Sequence, residues 1–331
     1  MANHIDPTYL PFEQTVLAKY LACADGQYLP DGNLRAVRHY MDSAGRYRSF
    51  NEDPANRDLS SLARVRKPRQ MEKDERFWTA AALIALDLCG DRVENWNKAL
   101  TRAFGEQPTW PGESWRSLLG DDFHLLLEVP MPSPKSYYEW LSIPDNWRAV
   151  NPVKYVRDAA GAAGSRQALK TRLEGATHAD AMLVSTSGFA VVFEAKVTSD
   201  ISHSVSFDAT RNQLARVIDV TLECREKEPS YSNRLDPRSL RSPDRTLIAL
   251  LTPRMFQREY RYSRLYGWLF DAYKGYGRNN LDLLSKHLPH RKRDELAGLP
   301  DRLGWLSYQD CNDILPADGE RQVPCPWLIV S

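Results

Sequence analysis

Two apolar runs joined by a short polar connection constrain the fold of this 331-residue chain more than any other feature of its sequence. The runs are AMLVS at residues 181 to 185 and FAVVFEAKV at residues 189 to 197, and their Val and Phe content is typical of strands. The connection ends in Gly188, which suits the left-handed backbone position of a three-residue hairpin loop. We therefore predict an antiparallel hairpin of apolar strands.

The elements predicted on either side of the hairpin indicate a mixed α/β fold. A strand is predicted at residues 123 to 130, and a helix at residues 164 to 174 precedes the hairpin. An amphipathic helix at about 207 to 224, an apolar strand at 245 to 252 and another strand at 303 to 311 follow it. This order favours the α/β (α+β) class, with a mixed sheet flanked by helices.

The pattern also divides the chain into two parts. Residues 1 to 115 are expected to form a mostly helical N-terminal region, because apolar positions recur there at helical spacing. Residues 116 to 331 are expected to form the α/β domain, with its core at about 150 to 255. The Pro-rich segment at 131 to 144 is predicted to lack a regular element, and a loose boundary is placed before it.

The predicted hairpin carries Asp180, Glu194 and Lys196 where apolar residues are expected. Side chains two positions apart in a strand share a face, so Glu194 and Lys196 point the same way and Phe193 points the opposite way. A three-residue loop places Asp180 opposite Glu194. A two-residue loop would place it opposite Ala195, on the other face, because a slip of one residue inverts every side chain. We predict the three-residue loop.

Two facing carboxylates repel each other unless a cation or a proton lies between them. Mg²⁺ prefers carboxylate, carbonyl and water oxygens, so we expect Mg²⁺ or Mn²⁺ as the cofactor. Such an ion supplies what phosphodiester hydrolysis requires, an activated water and a positive centre for the developing charge. Lys196 could position the water, deprotonate it or neutralise that charge, and the sequence leaves these roles open.

The order of an acid, a spacer and Glu-x-Lys resembles the signature of the PD-(D/E)XK phosphodiesterase superfamily. Here the acid is Asp180 in THAD, the spacer has 13 residues, and the tripeptide is Glu194-Ala195-Lys196. Ala179 stands where the family often has proline. The resemblance covers about residues 150 to 255 and implies a restriction-endonuclease-like core.

The resemblance also implies roles for individual residues. Asp180 and Glu194 would bind the metal together with the carbonyl group of Ala195, and Lys196 would be catalytic. Many members place a glutamate on a preceding helix, which Glu174 could match. Many also place a glutamine on the following helix, which Gln213 could match.

The function implied is a divalent-metal-dependent nuclease that hydrolyses DNA phosphodiester bonds, with an endonuclease expected and DNA favoured over RNA. Restriction, defence or DNA repair are roles suggested by analogy. The leading alternative is a non-catalytic nucleic-acid-binding or assembly protein that retains the fold. A third hypothesis uses the two acids without metal. The expected closeness of their carboxyl groups disfavours it, because inverting glycosidases need roughly 6.5 to 9.5 Å between them.

Charge is balanced over the whole chain, with a formal net charge of +1, so a nucleic-acid-binding surface has to be local. Between residues 225 and 264 ten Arg and Lys residues stand against five acids, an excess that suits a phosphate backbone. Tyr231, Tyr260 and Tyr262 are interleaved with these charges and could stack on bases.

The remaining composition predicts a cytoplasmic protein. The five cysteines lie far apart without CxxC spacing, which favours reduced, buried thiols. The N-terminus does not resemble a secretory signal, and the apolar stretch at 77 to 89 falls short of the ~20 residues that cross a bilayer. We expect no membrane partner, and a homodimer is left open as an assembly.

Overall fold

Five strands form one mixed sheet in the described part of the chain. The computed structural model describes residues 10, 12 to 24, 27 to 29, 31 to 40, 74 to 143, 145 and 146, 150, 176 to 203, 208, 210 to 223, 236 to 275 and 281 to 316. The helix predicted at 164 to 174, and with it Glu174, lies outside these residues.

The sheet is ordered β3-β4-β5-β6-β7, after a small hairpin of two-residue strands near the N-terminus. Strand β4 is antiparallel to both of its neighbours, β3 and β5. Strands β5, β6 and β7 run parallel to one another. The strands are β1 (Cys23–Ala24), β2 (Gln27–Tyr28), β3 (Phe123–Met131), β4 (Thr177–Ser185), β5 (Ala190–Ala195), β6 (Thr246–Thr252) and β7 (Leu303–Ser307). The predicted mixed α/β class is confirmed.

Helices cover both faces of this sheet. In chain order they are α1 (Gln14–Tyr20), α2 (Leu34–Val37), α3 (Glu75–Leu88), α4 (Arg92–Phe104), α5 (Trp115–Leu119), α6 (Lys135–Leu141), α7 (Gln213–Thr221), α8 (Arg254–Gln257), α9 (Leu265–Lys274), α10 (Asp282–His287), α11 (Arg293–Leu296) and α12 (Tyr308–Ile314). Short 3₁₀ turns follow α2 and precede β6, α9 and β7.

Two apolar cores lie on opposite faces of the sheet because side chains alternate along each strand. On the first face, α3 and α4 pack against Phe193, Ala195 and their neighbours. On the second face, α7 and α9 pack against Val192, Ile248 and their neighbours. Every residue of β6 is buried, as expected for a strand covered on both sides. Residues before 115 therefore share a core with the sheet. The boundary expected near that position does not separate two cores.

The loop of the β4–β5 hairpin has the predicted length. The backbone N–H of Ser185 donates to the carbonyl oxygen of Phe189 (2.8 Å), and Gly188 adopts a φ of +87°. Ala181 pairs with Phe193, and continuing that register places Asp180 opposite Glu194. The predicted three-residue connection and its register are confirmed.

Three local predictions need correction. The Pro-rich segment at 131 to 144 contains helix α6, because Pro134 lies at the N-cap, where its missing N–H costs no helical hydrogen bond. The strand predicted at 303 to 311 ends at Ser307, whose side chain caps α12. The helix predicted at 207 to 224 begins at Gln213, because Asn212 is its N-cap.

The cysteines also differ in part from the expectation. Cys311 is a free, buried thiol, and Cys23 is buried as well. Cys89 is buried too, but it is disulfide-bonded, so the expectation of reduced thiols is wrong there. Wide separation along the chain gives no information about which thiols meet in the fold.

In the described residues, every helix is too short or too polar to cross a bilayer.

Candidate metal-binding active site

Asp180 and Glu194 meet across the β4–β5 ladder, close to the end of β5. One carboxylate oxygen of Asp180 accepts a hydrogen bond from the backbone N–H of Ala195 (2.7 Å). Glu194 is 1% exposed, whereas Asp180 is half-buried. Both acidic side chains therefore lie at one end of an otherwise apolar hairpin, with Asp180 nearer to the solvent.

Lys196 is surrounded by oxygen atoms. Its Nζ lies 3.0 Å from Oε1 of Glu194 and 3.2 Å from Oε2 of Glu75, and it donates to the carbonyl oxygen of Ala195 at 2.9 Å. The residue is 4% exposed. The carboxylate and carbonyl oxygens at this position thus form a binding site for a cation, and in this structure the cation is the ammonium group of the chain itself.

Glu75 is the site residue that sequence reasoning missed. It is the first residue of α3, which Asp74 caps by accepting a hydrogen bond from the backbone N–H of Phe77 (3.2 Å). Besides its ion pair with Lys196, Glu75 accepts a hydrogen bond from the hydroxyl group of Ser199. An acid beside an N-cap is visible in the sequence, but its contact with Lys196 spans 121 positions and has no local signal.

Gln213, which the resemblance suggested as the glutamine of the following helix, lies against Glu194. Its Nε2 donates to Oε1 of Glu194 (2.6 Å). Two hydrogen bonds with Ser202 fix its position. The backbone N–H of Gln213 donates to the carbonyl oxygen of Ser202 (3.1 Å), and the backbone N–H of Ser202 donates to Oε1 of Gln213 (3.3 Å). Asn212 caps the helix by accepting from the backbone N–H of Ala215 (2.9 Å). The start of α7 is thereby held at the end of β5.

Arg216 brings a second positive charge to the same place. It lies three residues after Gln213 on α7, so both side chains lie on one side of the helix, and it is half-buried. Its charge opposes the rise in the pKa of Glu194. Nothing in the sequence motif pointed to this residue.

Burial and mutual repulsion control the charges in the cluster. Burial first, and the neighbouring Glu194 second, raise the pKa of Asp180 to about 8. Burial also raises the pKa of Glu194, against the opposing effect of Lys196. Burial disfavours the charge on Lys196, but Glu194, Glu75 and Asp180 outweigh it and raise the pKa of the ammonium group. The lysine therefore stays protonated, while Asp180 holds its proton to unusually high pH.

The chemistry of these residues fits a hard divalent cation. Glu75, Asp180 and Glu194 carry two negative charges more than Lys196 can neutralise when all are ionised, and their donors are all oxygen atoms. Within the described ranges, no three acidic, His or Cys side chains already form a metal cage. A metal ion that used Glu194 and the carbonyl group of Ala195 would have to displace the ammonium group of Lys196 from the same oxygens.

Glu128 faces the cluster from the next strand. The register between β3 and β4 places it opposite Asp180, and its φ of +51° is rare for a residue with a side chain. Its carboxylate accepts a hydrogen bond from the hydroxyl group of Tyr40 (3.0 Å) and forms an ion pair with Arg76 (3.3 Å). Because Arg76 balances the charge of Glu128 and Tyr40 occupies one of its oxygens, we do not count it among the candidate metal ligands.

Internal contacts use many of the arginines in the basic segment at 225 to 264. Arg238 pairs with Asp236, Arg245 with Glu113, Arg254 with Asp310 and Asp313, and Arg261 with Asp271, while Arg241 donates to carbonyl groups at the end of α7. The excess counted in the sequence is therefore smaller at the surface. Residues 224 to 235, including Tyr231, lie outside the described ranges.

Comparisons with known proteins give no relative for this chain. No family model matches it, and no significant match was found among curated proteins or solved structures.

Proposed function

We propose that this chain is a divalent-metal-dependent nuclease with a restriction-endonuclease-like core. Asp180, Glu194 and the carbonyl group of Ala195 would hold Mg²⁺ or Mn²⁺, and DNA is the expected substrate. The feature of the fold that supports the proposal is the mixed sheet with helices on both faces.

One observation carries the proposal, namely the convergence of three acids and one lysine at the end of a buried hairpin. Burying like charges together costs stability that packing alone does not recover. Such an arrangement is typical of a site that binds a cation and is less typical of a structural ion pair, which needs only one partner for each charge.

The residues of the chain have distinct tasks in this proposal. Gln213 orients Glu194 through its 2.6 Å hydrogen bond, and the N–H of Ala195 orients Asp180. Glu75 holds the ammonium group of Lys196 in the cluster through their ion pair (3.2 Å). Three neighbouring acids raise the pKa of Lys196 and favour its ammonium form, which would stabilise the phosphate as negative charge builds on it.

A bound divalent ion would supply an activated water and a Lewis acid for the phosphate oxygen. Asp180 and Glu194 would contribute the negative charge that retains the ion. Arg216, on the same side of α7 as Gln213, would contact the phosphate group as a further positive charge.

A cleavage assay tests this proposal. Purified chain is incubated with supercoiled plasmid, single-stranded DNA and RNA in Mg²⁺, Mn²⁺, Ca²⁺ and EDTA. The wild type is expected to cut DNA with Mg²⁺ or Mn²⁺ and not with EDTA. Glu194→Gln and Lys196→Met should each lower the rate by at least about a hundredfold. Glu106→Gln, which changes an exposed acid, should leave the rate unchanged.

The assay also separates the alternatives. Binding of DNA without cleavage in any metal would favour the non-catalytic nucleic-acid-binding protein. Equal cleavage in EDTA would show an enzyme that works without metal. Cleavage confined to RNA would keep the metal site and change the substrate.

A further inference from the structure

Three large aromatic side chains are exposed to solvent in the segment that follows β6. Tyr260 and Tyr262 are each 55% exposed, and Trp268 is 59% exposed. Most aromatic residues of the described chain are packed into the two cores, so an exposed group of three is a feature that the fold does not require. We refer to Tyr260, Tyr262 and Trp268 as the aromatic platform.

Two rings of the platform, those of Tyr262 and Trp268, are held by contacts within the chain. The ring centroids of Tyr262 and Trp268 are 4.6 Å apart, with an angle of 40° between the ring planes. Nε1 of Trp268 donates to the carbonyl oxygen of Tyr262 (3.1 Å), and the hydroxyl group of Tyr262 donates to Asp271 (2.9 Å). Their polar groups are thus engaged within the chain, while much of the area of the rings remains open to solvent.

The backbone beneath the platform also fixes it. A Cβ atom at Gly267 would lie 2.0 Å from the carbonyl oxygen of Arg261, so only glycine lets the turn that carries Tyr262 approach α9 this closely. Arg261 secures the same turn by pairing with Asp271 (2.9 Å from Nε) and by lying over the ring of Trp305 (4.5 Å). The turn is therefore preorganised in the absence of any partner.

Two arginines lie in the segment that carries the platform. Arg258 is exposed, and no ion pair of this residue is found among the described residues. Arg264 is half-buried and lies over the ring of Phe256 (4.6 Å). Glu259 and Asp200 are exposed acids of the same region, so the two arginines supply local positive charges without a net excess.

The platform lies at the same edge of the sheet as the candidate metal site. Strands β5 and β6 are parallel, so Lys196, after β5, and the segment after β6 leave the sheet at the same edge. The carboxylate of Asp200 accepts hydrogen bonds from the backbone N–H groups of Leu265 (2.6 Å) and Tyr266 (3.3 Å). Asp200 lies four positions after Lys196, so a short loop connects the two features.

We propose that the aromatic platform stacks on the unpaired bases of a nucleic acid strand whose backbone enters the metal site. Aromatic faces, nearby arginines and proximity to a phosphodiesterase site are the features of single-strand recognition, because bases inside a duplex do not expose their faces. This inference rests on the proposed nuclease function and makes it more specific, since the substrate is a strand with an unpaired segment.

Binding in EDTA tests the inference without cleavage. The probes are a fluorescein-labelled oligothymidylate, a labelled strand of equal length with abasic sugars, and a labelled duplex of equal length, followed by anisotropy. The wild type should bind the oligothymidylate at least about fivefold more tightly than the abasic strand, as expected for stacking of one or more bases. It should also bind it more tightly than the duplex.

Substitutions assign that preference to the platform. Trp268→Ala and Tyr262→Ala should weaken oligothymidylate binding about fivefold to a hundredfold and leave abasic-strand binding unchanged. Tyr262→Phe keeps the ring and should retain most of the affinity. Leu34→Ala removes another large exposed apolar side chain, 60% exposed, and should change nothing.

Two results would overturn the inference. One is an affinity for oligothymidylate that Trp268→Ala and Tyr262→Ala leave unchanged in folded protein, which would assign the platform to a protein partner. The other is a preference for duplex over the single strand. The two proposals fail separately: a chain that binds unpaired bases through Trp268 but never cuts DNA refutes only the nuclease, whereas a chain that cuts DNA without this preference refutes only the platform.

Discussion

Asp180 is a carboxyl group placed where ionisation is costly. Its pKa of about 8 lies well above the ordinary value near 3.8, because the carboxyl group is largely shielded from water and faces Glu194. Between these two pH values the folded chain holds a proton that the unfolded chain has released. The contribution of Asp180 to stability is therefore complete below about pH 4 and is lost as the pH rises towards 8.

Asp180→Asn removes this ionisation, because an amide of the same shape does not titrate. The unfolding free energy is measured with urea, in EDTA, at pH 5 and at pH 8.5. Between these pH values it should fall more for the wild type than for the variant, by on the order of 2 kcal/mol. The variant should be the more stable protein at pH 8.5. An equal pH dependence for both proteins would show that Asp180 does not titrate in this range.

In the proposed site, Lys196 and a bound metal would compete for the same oxygen atoms. Lys196→Met removes the competing cation and leaves Glu194 buried without it, so the metal-free variant should lose about 3 kcal/mol of unfolding free energy. Mn²⁺ should restore more stability to the variant than it adds to the wild type, because the metal replaces the missing charge. Urea unfolding with and without Mn²⁺ measures both effects.

Lys98→Met is the matched control for that substitution. Lys98 forms an exposed pair with Glu94 (3.6 Å) on α4, and exposed pairs contribute little. The unfolding free energy of Lys98→Met should be close to that of the wild type, both with and without Mn²⁺. If Mn²⁺ stabilised Lys196→Met less than the wild type, the lysine would be helping the metal to bind and would not be competing with it.

The β4–β5 hairpin is the element that brings Asp180 and Glu194 together, and Gly188 determines its register. A Cβ atom at Gly188 would make only ordinary contacts, at 3.5 Å, so the cost of a side chain there comes from the φ of +87°. Gly188→Ala should therefore lower the unfolding free energy by about 1 kcal/mol. Gly298→Ala is the control, since that glycine lacks a positive φ and its Cβ atom would meet only Arg302, at 3.9 Å. Equal effects in urea unfolding would mean that the loop tolerates alanine.

The hairpin is also the element that the sequence predicts best. Strand periodicity, a loop ending in glycine and a pair of acids in phase are all local signals, and together they led to the observed register. The apolar stripe of the following helix and the family resemblance singled out Gln213, and this residue contacts Glu194.

Contacts between distant segments could not be predicted in this way. Glu75 reaches Lys196 across 121 positions, and the sequence gives no measure of how α3 lies on the sheet. Glu174, which the resemblance suggested as a glutamate on the preceding helix, lies outside the described residues. The arginines between 225 and 264 were counted as one basic surface, but ion pairs such as Arg261 with Asp271 depend on the fold.

The whole molecule uses its sheet to assemble the candidate site from three separate segments. Helix α3 lies on the first face and α7 on the second, and both begin near the end of β5. Glu75 and Gln213 thereby approach the hairpin from opposite sides. A site of this kind needs the complete α/β arrangement, and the N-terminal residues belong to it as much as the motif does.

The central claim is that Asp180 and Glu194 hold a divalent metal, and calorimetric titration with Mn²⁺ at pH 8 tests it most directly. The wild type should bind Mn²⁺ at a site that Glu194→Gln and Asp180→Asn each abolish, because each variant removes an anionic ligand that a hard cation requires. Glu106→Gln should bind as the wild type does. An isotherm for Glu194→Gln and Asp180→Asn that is identical to that of the wild type, or no binding by the wild type at all, would contradict the account.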